Sequence, residues 1–327
     1  PSPVPVRKRG RRSKRMIESL RVSEGAHPHD DILAKLLEVR ALFKKEDGKP
    51  LRIVGVGAGS WGSVFIAMMQ AQFEEYIEQG ELVDVAIWRR EGKKLDQEYS
   101  EKLLDVINSD EAVLRRLRER GSYIKYVEAR LGDRTMTSDE ILRDGFCDNL
   151  LSSTLCPLKV VTDLEEAVYD ADIVINSLPS TDCGKVFERI STIWSSRAPG
   201  RMPPVVVSLS KGVEFVEQPS PHIVTPTRIM HHATGIPLEN LLYLGGPNIA
   251  AEVWEGEYAT ARLCGAKKWR VPLSKFFRTS SFVVWDHHDV ITHEVMGGLK
   301  NVYAIGMGIV EAGCKNSATS KSVYFSN

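Results

Sequence analysis

The apolar positions of this chain predict strands and helices that alternate along most of its length. Residues 51 to 56 form an apolar, β-branched run, as in a strand buried on both faces of a parallel sheet, and helical spacing follows over residues 64 to 69. Further strands are predicted at residues 82 to 88, 158 to 161, 171 to 179, 204 to 209, 241 to 245, 258 to 264 and 281 to 285. This alternation predicts an α/β protein.

The flanking regions have a different pattern. Residues 1 to 30 are basic and lack apolar periodicity, which predicts a mobile tail, whereas residues 31 to 46 have the spacing of an amphipathic helix. Residues 92 to 155 are highly charged and are predicted to form an excursion over the sheet surface. From residue 290 the pattern is helical. The predicted division is a basic tail and leading helix at 1–47, a nucleotide-binding sheet domain at 48–288, and the start of a helical domain at 289–327.

Three glycines directly follow the first strand. Gly57, Gly59 and Gly62 have the spacing G-x-G-x-x-G before a helical segment. Gly57 permits a tight turn, Gly59 removes the Cβ that would hold a phosphate away, and Gly62 permits close helix packing. A pyrophosphate can then bind to backbone N–H groups at the helix N-terminus. The order of strand, glycine turn and helix predicts a dinucleotide site in a Rossmann-like, doubly wound sheet, with a purely structural turn as the alternative.

The residues after the second strand bear on the identity of the dinucleotide. In this fold the end of that strand faces the adenosine ribose, where an acidic residue favours NAD and a basic residue accommodates the 2′-phosphate of NADP. This chain has Arg89 and Arg90 there. An arginine that stacks on adenine while NAD is used is the competing interpretation, so the sequence leaves the choice of cofactor open.

Other strand ends are predicted to line the same crevice. Leu178 and Pro179 end the run at residues 171 to 179, and Lys211 follows the strand at residues 204 to 209. A lysine at the carboxyl end of a buried strand points toward the cleft. Lys211 is therefore a candidate site residue, and a solvated surface lysine is the alternative interpretation.

Composition excludes several classes of function. Lys and Arg together number 43, as do Asp and Glu, so no overall charge attracts nucleic acid or membrane. The chain has no apolar run long enough to span a bilayer. Its five cysteines are scattered and form no C-x-x-C pair, which favours a reduced cytoplasmic compartment without a disulfide framework or a metal site. The adjacent His287 and His288 are interpreted as a boundary turn rather than as ligands.

One further lysine, Lys300, stands in a helix that is otherwise made of small and apolar residues, over residues 297 to 308. A solvated charge does not explain this lysine, because its neighbours favour close packing. With it, four motifs resemble those of the NAD-dependent glycerol-3-phosphate dehydrogenase family, most of all its plant cytosolic members. These motifs are GAGSWGS at 57–63, SLSKG at 208–212, GPNIA at 246–250 and GLKN at 298–301.

The resemblance implies reversible reduction of dihydroxyacetone phosphate to sn-glycerol 3-phosphate by NADH, in a cytoplasmic homodimer. Lys300 would be the general acid and base, and Lys211 would supply a second cation that lowers the pKa of Lys300 and orients the substrate. Asn248 and Asn301 would be hydrogen-bonding groups near the substrate. The cofactor would contact Gly57, Ala58, Gly59, Ser60, Trp61, Gly62, Arg89, Leu178, Pro179, Lys211 and Ala250.

The chain departs from the family pattern after Lys300. Members of the family continue with a helical substrate domain that supplies an acidic residue beside the lysine and an Arg-Asn pair for the substrate phosphate. This sequence ends at Asn327, before either feature, so we expect a truncated product. The alternative function is a dinucleotide-binding module without turnover.

Overall fold

The fold is known from a computed structural model that describes residues 28–90, 159–217, 219–254 and 256–313. The predicted basic tail and the charged excursion at residues 92 to 155 lie outside the described residues. Within them, none of the helices has the length and apolar character that crossing a bilayer requires.

An eight-stranded sheet forms the centre of the described structure. Its strands are β1 Leu51–Val56, β2 Val83–Trp88, β3 Lys159–Val161, β4 Ile173–Asn176, β5 Val205–Ser208, β8 Leu241–Gly245, β9 Ala259–Cys264 and β10 Phe282–His287. They lie in the order β3-β2-β1-β4-β5-β8-β9-β10. Neighbouring strands are parallel except β8 and β9. The first six strands thus have the Rossmann order, in which β1 and β4 flank the switch point. This topology confirms the predicted doubly wound α/β sheet.

Helices cover both faces of the sheet. They are α1 Pro28–Leu42, α2 Ser60–Gln72, α3 Glu74–Glu78, α4 Leu164–Val168, α5 Ser180–Ser195, α6 Pro226–Thr234, α7 Ala250–Trp254, α8 Lys267–Phe276 and α9 Val290–Gly313. One core contains Phe65 of α2 and Phe276 of α8, and the other contains Phe187 of α5 and Met230 of α6. Two packed faces explain why the strands read as continuous apolar runs.

Several boundaries differ from the predictions. Helix α1 begins at Pro28 and ends at Leu42, earlier than predicted at both ends. Strand β10 continues to His287, so this histidine belongs to a strand and not to a boundary turn. Two short strands, β6 Glu214–Val216 and β7 His222–Val224, form an antiparallel hairpin that the sequence pattern did not reveal. Its burial is incomplete, and a half-exposed three-residue strand gives too short a pattern to recognise.

Helix α9 carries the chain from the β9 and β10 end of the sheet back across β8. Asp289 caps it, because the Asp289 carboxylate accepts a hydrogen bond of 3.0 Å from the Thr292 N–H. Gly297 lies against the buried Tyr243 of β8, where a Cβ would overlap the tyrosine hydroxyl. The helix therefore reaches the carboxyl end of β8 at Lys300. The proposed division of the chain at residue 288 stays a prediction.

Candidate functional site

A cleft of about 570 Å³ opens at the carboxyl ends of β1 and β4. Its position is the switch point of the sheet, where open α/β folds bind ligands. The predicted site residues that line it are Gly57, Ala58, Gly59, Trp61, Gly62, Arg89, Leu178, Pro179 and Lys211, together with Arg90. The fold thus gathers residues from four separate strand ends into one cavity.

The three glycines of the loop have different environments. Gly57 has a φ of 99°, in the region that glycine adopts without strain, and a Cβ there would lie 3.0 Å from Leu178 Cδ2. A Cβ on Gly62 would lie 2.5 Å from the Ser177 Cβ, so α2 packs closely on the segment after β4. A Cβ on Gly59 would have no neighbour nearer than 4.0 Å. Gly59 is therefore the glycine that faces open space in the cleft.

The N-terminus of α2 offers backbone donors to this cleft. Gly59 is the N-cap residue, with extended φ and ψ of −71° and 167°, and it has no side chain to accept a bond from the first turn. That turn also contains no acidic residue. Unpaired N–H groups and the positive end of the helix dipole favour an anion at this point.

A buried hydrogen-bond network holds the ends of β4 and β5. The Asn176 side chain is fully buried, and its Nδ2 donates to Ser210 Oγ at 2.9 Å while its Oδ1 accepts from the Leu178 N–H at 3.2 Å. Ser210 Oγ in turn donates to the Leu178 carbonyl at 2.6 Å. This closed network positions both Leu178 and the residue after Ser210, Lys211. Asn176 was not among the predicted site residues, although a polar residue in an apolar run is a usable signal.

Cys183 touches the same network from α5. Its Sγ lies 3.3 Å from Asn176 Nδ2 and 3.5 Å from Ser210 Oγ. Burial raises the pKa of the Cys183 thiol. The shift favours the protonated thiol over the reactive thiolate, so Cys183 is suited to the buried hydrogen-bond network and not to a nucleophilic role.

The two arginines after β2 differ in their surroundings. The Arg89 side chain is buried, and its backbone N–H donates to the Val161 carbonyl at 3.1 Å. Arg90 is exposed and forms an ion pair of 3.2 Å with Asp182 at the start of α5. Both side chains line the cleft beyond the glycine loop.

Lys211 and Lys300 come together at the opposite side of the cleft. Lys300 Nζ donates to the Gly246 carbonyl oxygen at 3.4 Å. Desolvation and then the positive charge of Lys300 lower the pKa of Lys211 to about 8, although the Lys211 side chain remains solvent-exposed. Two adjacent ammonium groups repel each other, and an anionic oxygen between them would relieve that repulsion. The resemblance already implied that Lys211 lies near Lys300, but only the fold shows the backbone contact of Gly212 with Gly298 that brings them together.

Two glycines set the distance between these lysines. A Cβ on Gly298 would lie 3.2 Å from the Cα of Gly212, so α9 and the loop after β5 touch backbone to backbone. Gly212 has a φ of 111°, which a residue with a side chain rarely adopts.

The remaining predicted residues of the substrate and cofactor sites differ in their surroundings. Asn248 is half-buried beside Gly246, and its buried Oδ1 has no hydrogen-bond partner within the described structure. Asn301 is exposed to solvent on α9. Ala250 begins α7 and packs against the core that contains α2. The backbone of Ser60 starts α2.

Glu294 is a buried carboxylate on α9 that sequence reasoning missed. Its Oε1 accepts from the Thr227 N–H at 2.8 Å and its Oε2 accepts from Thr227 Oγ1 at 2.6 Å. The carboxylate therefore caps α6 from a different helix. Burial raises the pKa of Glu294, and these hydrogen bonds oppose the shift. A single Glu in an apolar helix does not reveal such a tertiary cap.

A family model and individual relatives that match this chain are all described as NAD-dependent glycerol-3-phosphate dehydrogenases. A family model described as the N-terminus of NAD-dependent glycerol-3-phosphate dehydrogenase matches residues 145–269. A cytosolic NAD-dependent glycerol-3-phosphate dehydrogenase of Arabidopsis thaliana is 61% identical over 90% of this chain and 63% of its own length. A probable cytosolic enzyme of the same name from Oryza sativa subsp. japonica is 60% identical over 89% of this chain and 61% of its own length.

A solved structure supports the fold independently. DsGPDH of Dunaliella salina superposes with a TM-score of 0.56, at 20% identity, over 84% of this chain and 40% of that chain. At this identity the likeness concerns the fold alone. The chain spans a little over three fifths of the length of the plant relatives that it matches.

Proposed function

We propose that this chain belongs to the NAD-dependent glycerol-3-phosphate dehydrogenase family, which its similarity to the plant relatives and to the family model supports, and that it forms the cofactor-binding part of an enzyme that interconverts dihydroxyacetone phosphate and sn-glycerol 3-phosphate. The observation that carries the proposal is that Lys211 lines the glycine-loop cleft and that the backbone contact of Gly212 with Gly298 brings Lys300 close to it. Two cations at that position suit a substrate with an anionic group and a carbonyl oxygen that becomes negative during reduction.

The cleft residues fit a dinucleotide. The uncapped N-terminus of α2 and the open space at Gly59 would hold the pyrophosphate, and Arg89 would lie at the adenosine end. When bound, the nicotinamide would supply or accept the hydride. The cofactor of this proposal is NAD, as in the names of the plant relatives. The arginines after β2 leave NADP as a second possible cofactor.

The two lysines would have different roles. In the direction of reduction, Lys300 would give a proton from Nζ to the substrate carbonyl oxygen as the hydride reaches the carbon, and it would take the proton back in oxidation. Lys211 would orient the substrate and stabilise the negative charge that develops on the same oxygen. This charge is larger in the transition state than in the ketone, so the pair would stabilise the transition state more.

Asn248 would complete the group of residues around the substrate. Its buried Oδ1 lacks a partner among the described residues, so a substrate hydroxyl could donate to it. Asn301 follows Lys300 and is exposed, and we keep it as a proposed substrate contact.

The proposed enzyme is a cytoplasmic homodimer. The plant relatives are named cytosolic, and we extend that location to this protein. Support for a second copy comes from α9, where Val302, Ile305 and Ile309 are each 65% exposed or more. Their spacing places them on one face of the helix. Light scattering of the purified protein tests this part, and a monomeric mass would contradict it.

Turnover of NADH with dihydroxyacetone phosphate tests the main proposal. We expect NADH oxidation by the wild-type protein, and we expect Lys300→Ala to lose it while the affinity for NADH, followed by fluorescence, stays nearly unchanged. Binding of NADH without oxidation in the wild type would favour a dinucleotide-binding module instead. Turnover retained in Lys300→Ala would exclude Lys300 as the general acid.

A further inference from the structure

A second group of reactive side chains lies outside the cleft, at the N-terminal end of α9. Cys264 is the last residue of β9, His287 is the last residue of β10, and His293 lies in the first turns of α9. The ligand atoms of these three residues all lie within 4.8 Å of one another. The sequence places them 23 and 6 residues apart, so only the fold reveals the cluster.

The register of the sheet explains why they meet. β9 and β10 are parallel, and Cys264 is the direct partner of His287. Paired residues of neighbouring strands point to the same face of a sheet. The chain then turns at Asp289 and enters α9, which brings His293 onto that face, with its ring 4.7 Å from that of His287 between centroids. Strand pairing and the turn thus hold all three side chains at one point.

The donor set is typical of zinc. One thiolate and two imidazoles suit a borderline-soft divalent cation, with metal–sulfur bonds of about 2.3 Å and metal–nitrogen bonds of about 2.0 Å. In a tetrahedral centre with these bond lengths, the ligand atoms are roughly 3.3 to 3.7 Å apart. Since the ligand atoms lie within 4.8 Å of one another, the side chains would have to approach by at most about 1.5 Å, which small side-chain rotations can provide.

Hydrogen bonds around the cluster prepare one imidazole and constrain the other. His293 Nδ1 donates to the Asp289 carbonyl at 2.8 Å, which leaves Nε2 with a free lone pair, as in most metal-binding histidines. His287 Nδ1 lies 3.2 Å from the Asp289 N–H, from which it accepts a bond. Coordination by His287 therefore requires this ring to change its tautomer or exchange that bond for the metal.

Charged groups of both signs surround the cluster. Asp289 and Glu294 of the α9 side and Arg262 and Arg270 on the other side all act on Cys264. Arg270 is already paired with Asp286 at 3.0 Å. Selectivity would thus arise from the soft donor set and not from a general negative field.

We propose that Cys264, His287 and His293 form a binding site for a divalent cation of the zinc class, with a water molecule or other small ligand in the fourth position. This proposal departs from the interpretation of His287 as a boundary residue without ligand function. A bound cation would join β9, β10 and the start of α9. Because His293 and Lys300 are seven residues apart, two helical turns, the cation would also fix the helix that carries Lys300.

Titration of the chelator-treated protein with Zn²⁺ and Co²⁺ tests the site. We expect one equivalent to bind, with a thiolate-to-cobalt charge-transfer band, and with proton release because the thiol must ionise. Cys264→Ser should abolish the band and weaken binding by at least about 100-fold, since loss of even an outer partner typically costs 10- to 100-fold. His293→Gln, a change on a partly exposed helix position that leaves the core intact, should also weaken binding strongly.

The matched control is His232→Gln. His232 belongs to another histidine pair, on α6, whose ring centroids are 5.8 Å apart, and it is remote from the cluster in sequence. Binding by this variant should equal that of the wild type. Cys147, Cys156 and Cys314 remain in every variant. A charge-transfer band that persists in Cys264→Ser, an unchanged affinity in His293→Gln, or the absence of saturable binding would each overturn the proposal.

Discussion

The backbone of Gly298 packs directly against that of Gly212, so closely that a Cβ added to Gly298 would lie 3.2 Å from the Gly212 Cα. Each glycine is next to or near a lysine of the candidate site, Lys211 on the loop after β5 and Lys300 on α9. The contact therefore sets how closely the two ammonium groups approach. Any side chain at either glycine would change this spacing.

Gly298→Ala should reduce turnover by about 10-fold while NADH affinity is unchanged. The added methyl group must displace the loop or the helix by a few tenths of an ångström, and misplacement of 1 Å can cost about 100-fold in rate. The control is Gly308→Ala on the same helix, since a Cβ on Gly308 would have no neighbouring atom within 4 Å from outside its own turn of helix. Steady-state kinetics of both variants checks the prediction, and equal rates for the two would contradict it.

Gly59→Ala and Gly62→Ala should separate ligand binding from folding. Gly59→Ala should lose less stability than Gly62→Ala, because its Cβ has free space and only the N-cap preference for glycine is lost, but it should bind NADH at least about 10-fold more weakly. Gly62→Ala should lower the melting temperature, because its Cβ would overlap Ser177. Thermal melting and NADH titration of both variants test this pair. A Gly59→Ala protein that binds NADH normally would show that no phosphate lies against this residue.

The sequence was sufficient for the features that depend on local pattern. Buried parallel strands read as apolar runs, and the G-x-G-x-x-G spacing located the loop at Gly57 because tight turns and close contacts leave few residue choices. Lys211 could be chosen as a candidate site residue from its place at a strand end, and Lys300 because a charge among small residues is unusual. The roles of both lysines in the reaction stay predictions.

Features that depend on tertiary pairing were not predictable. Asn176 and Ser210 lie 34 residues apart and meet only because β4 and β5 are neighbours. The cluster of Cys264, His287 and His293 depends on the register of β9 with β10, which no local pattern encodes. Neither periodicity nor composition reveals that β9 runs antiparallel to β8.

The stability of the ligand-free protein should rise with pH in the range where Lys211 loses its proton. The folded pKa of about 8 lies below the ordinary value of 10.5, so between these values the unfolded chain binds more protons. Stability then increases with pH. Lys211→Gln should remove this increase and should melt at a higher temperature at pH 7, because it removes the repulsion with Lys300. Melting curves between pH 7 and 10.5 test this, with Lys185→Gln on α5 as the exposed control. An unchanged pH profile in Lys211→Gln would contradict the assignment.

Glu294→Ala should destabilise the protein by about 2 to 3 kcal/mol, because it leaves the buried Thr227 N–H without its acceptor. Glu294→Gln, which keeps one carbonyl oxygen as an acceptor, should destabilise the protein less than Glu294→Ala.

Glu294 should also make stability depend on pH. Burial raises its pKa above 4.5, so between that pH and the folded pKa the folded chain binds more protons than the unfolded chain. Stability therefore falls as pH rises through this window. Glu294→Gln should flatten that part of the profile. Urea unfolding at several pH values measures both effects, and Glu311→Ala on the exposed part of α9 is the control. Equal stabilities for Glu294→Ala and Glu311→Ala would contradict the capping role.

Arg89→Gln should impair the use of NADPH more than that of NADH. If the Arg89 guanidinium binds the 2′-phosphate, its loss removes a charged hydrogen bond, which costs on the order of 10- to 100-fold in kcat/KM for NADPH. Arg90→Gln is the matched control, because Arg90 is exposed and already paired with Asp182 at 3.2 Å. Steady-state kinetics of both variants with NADH and with NADPH tests this prediction. Equal losses for NADH and NADPH in Arg89→Gln would mean that Arg89 packs against the adenine ring and does not read the 2′ position, because stacking is the same for both cofactors.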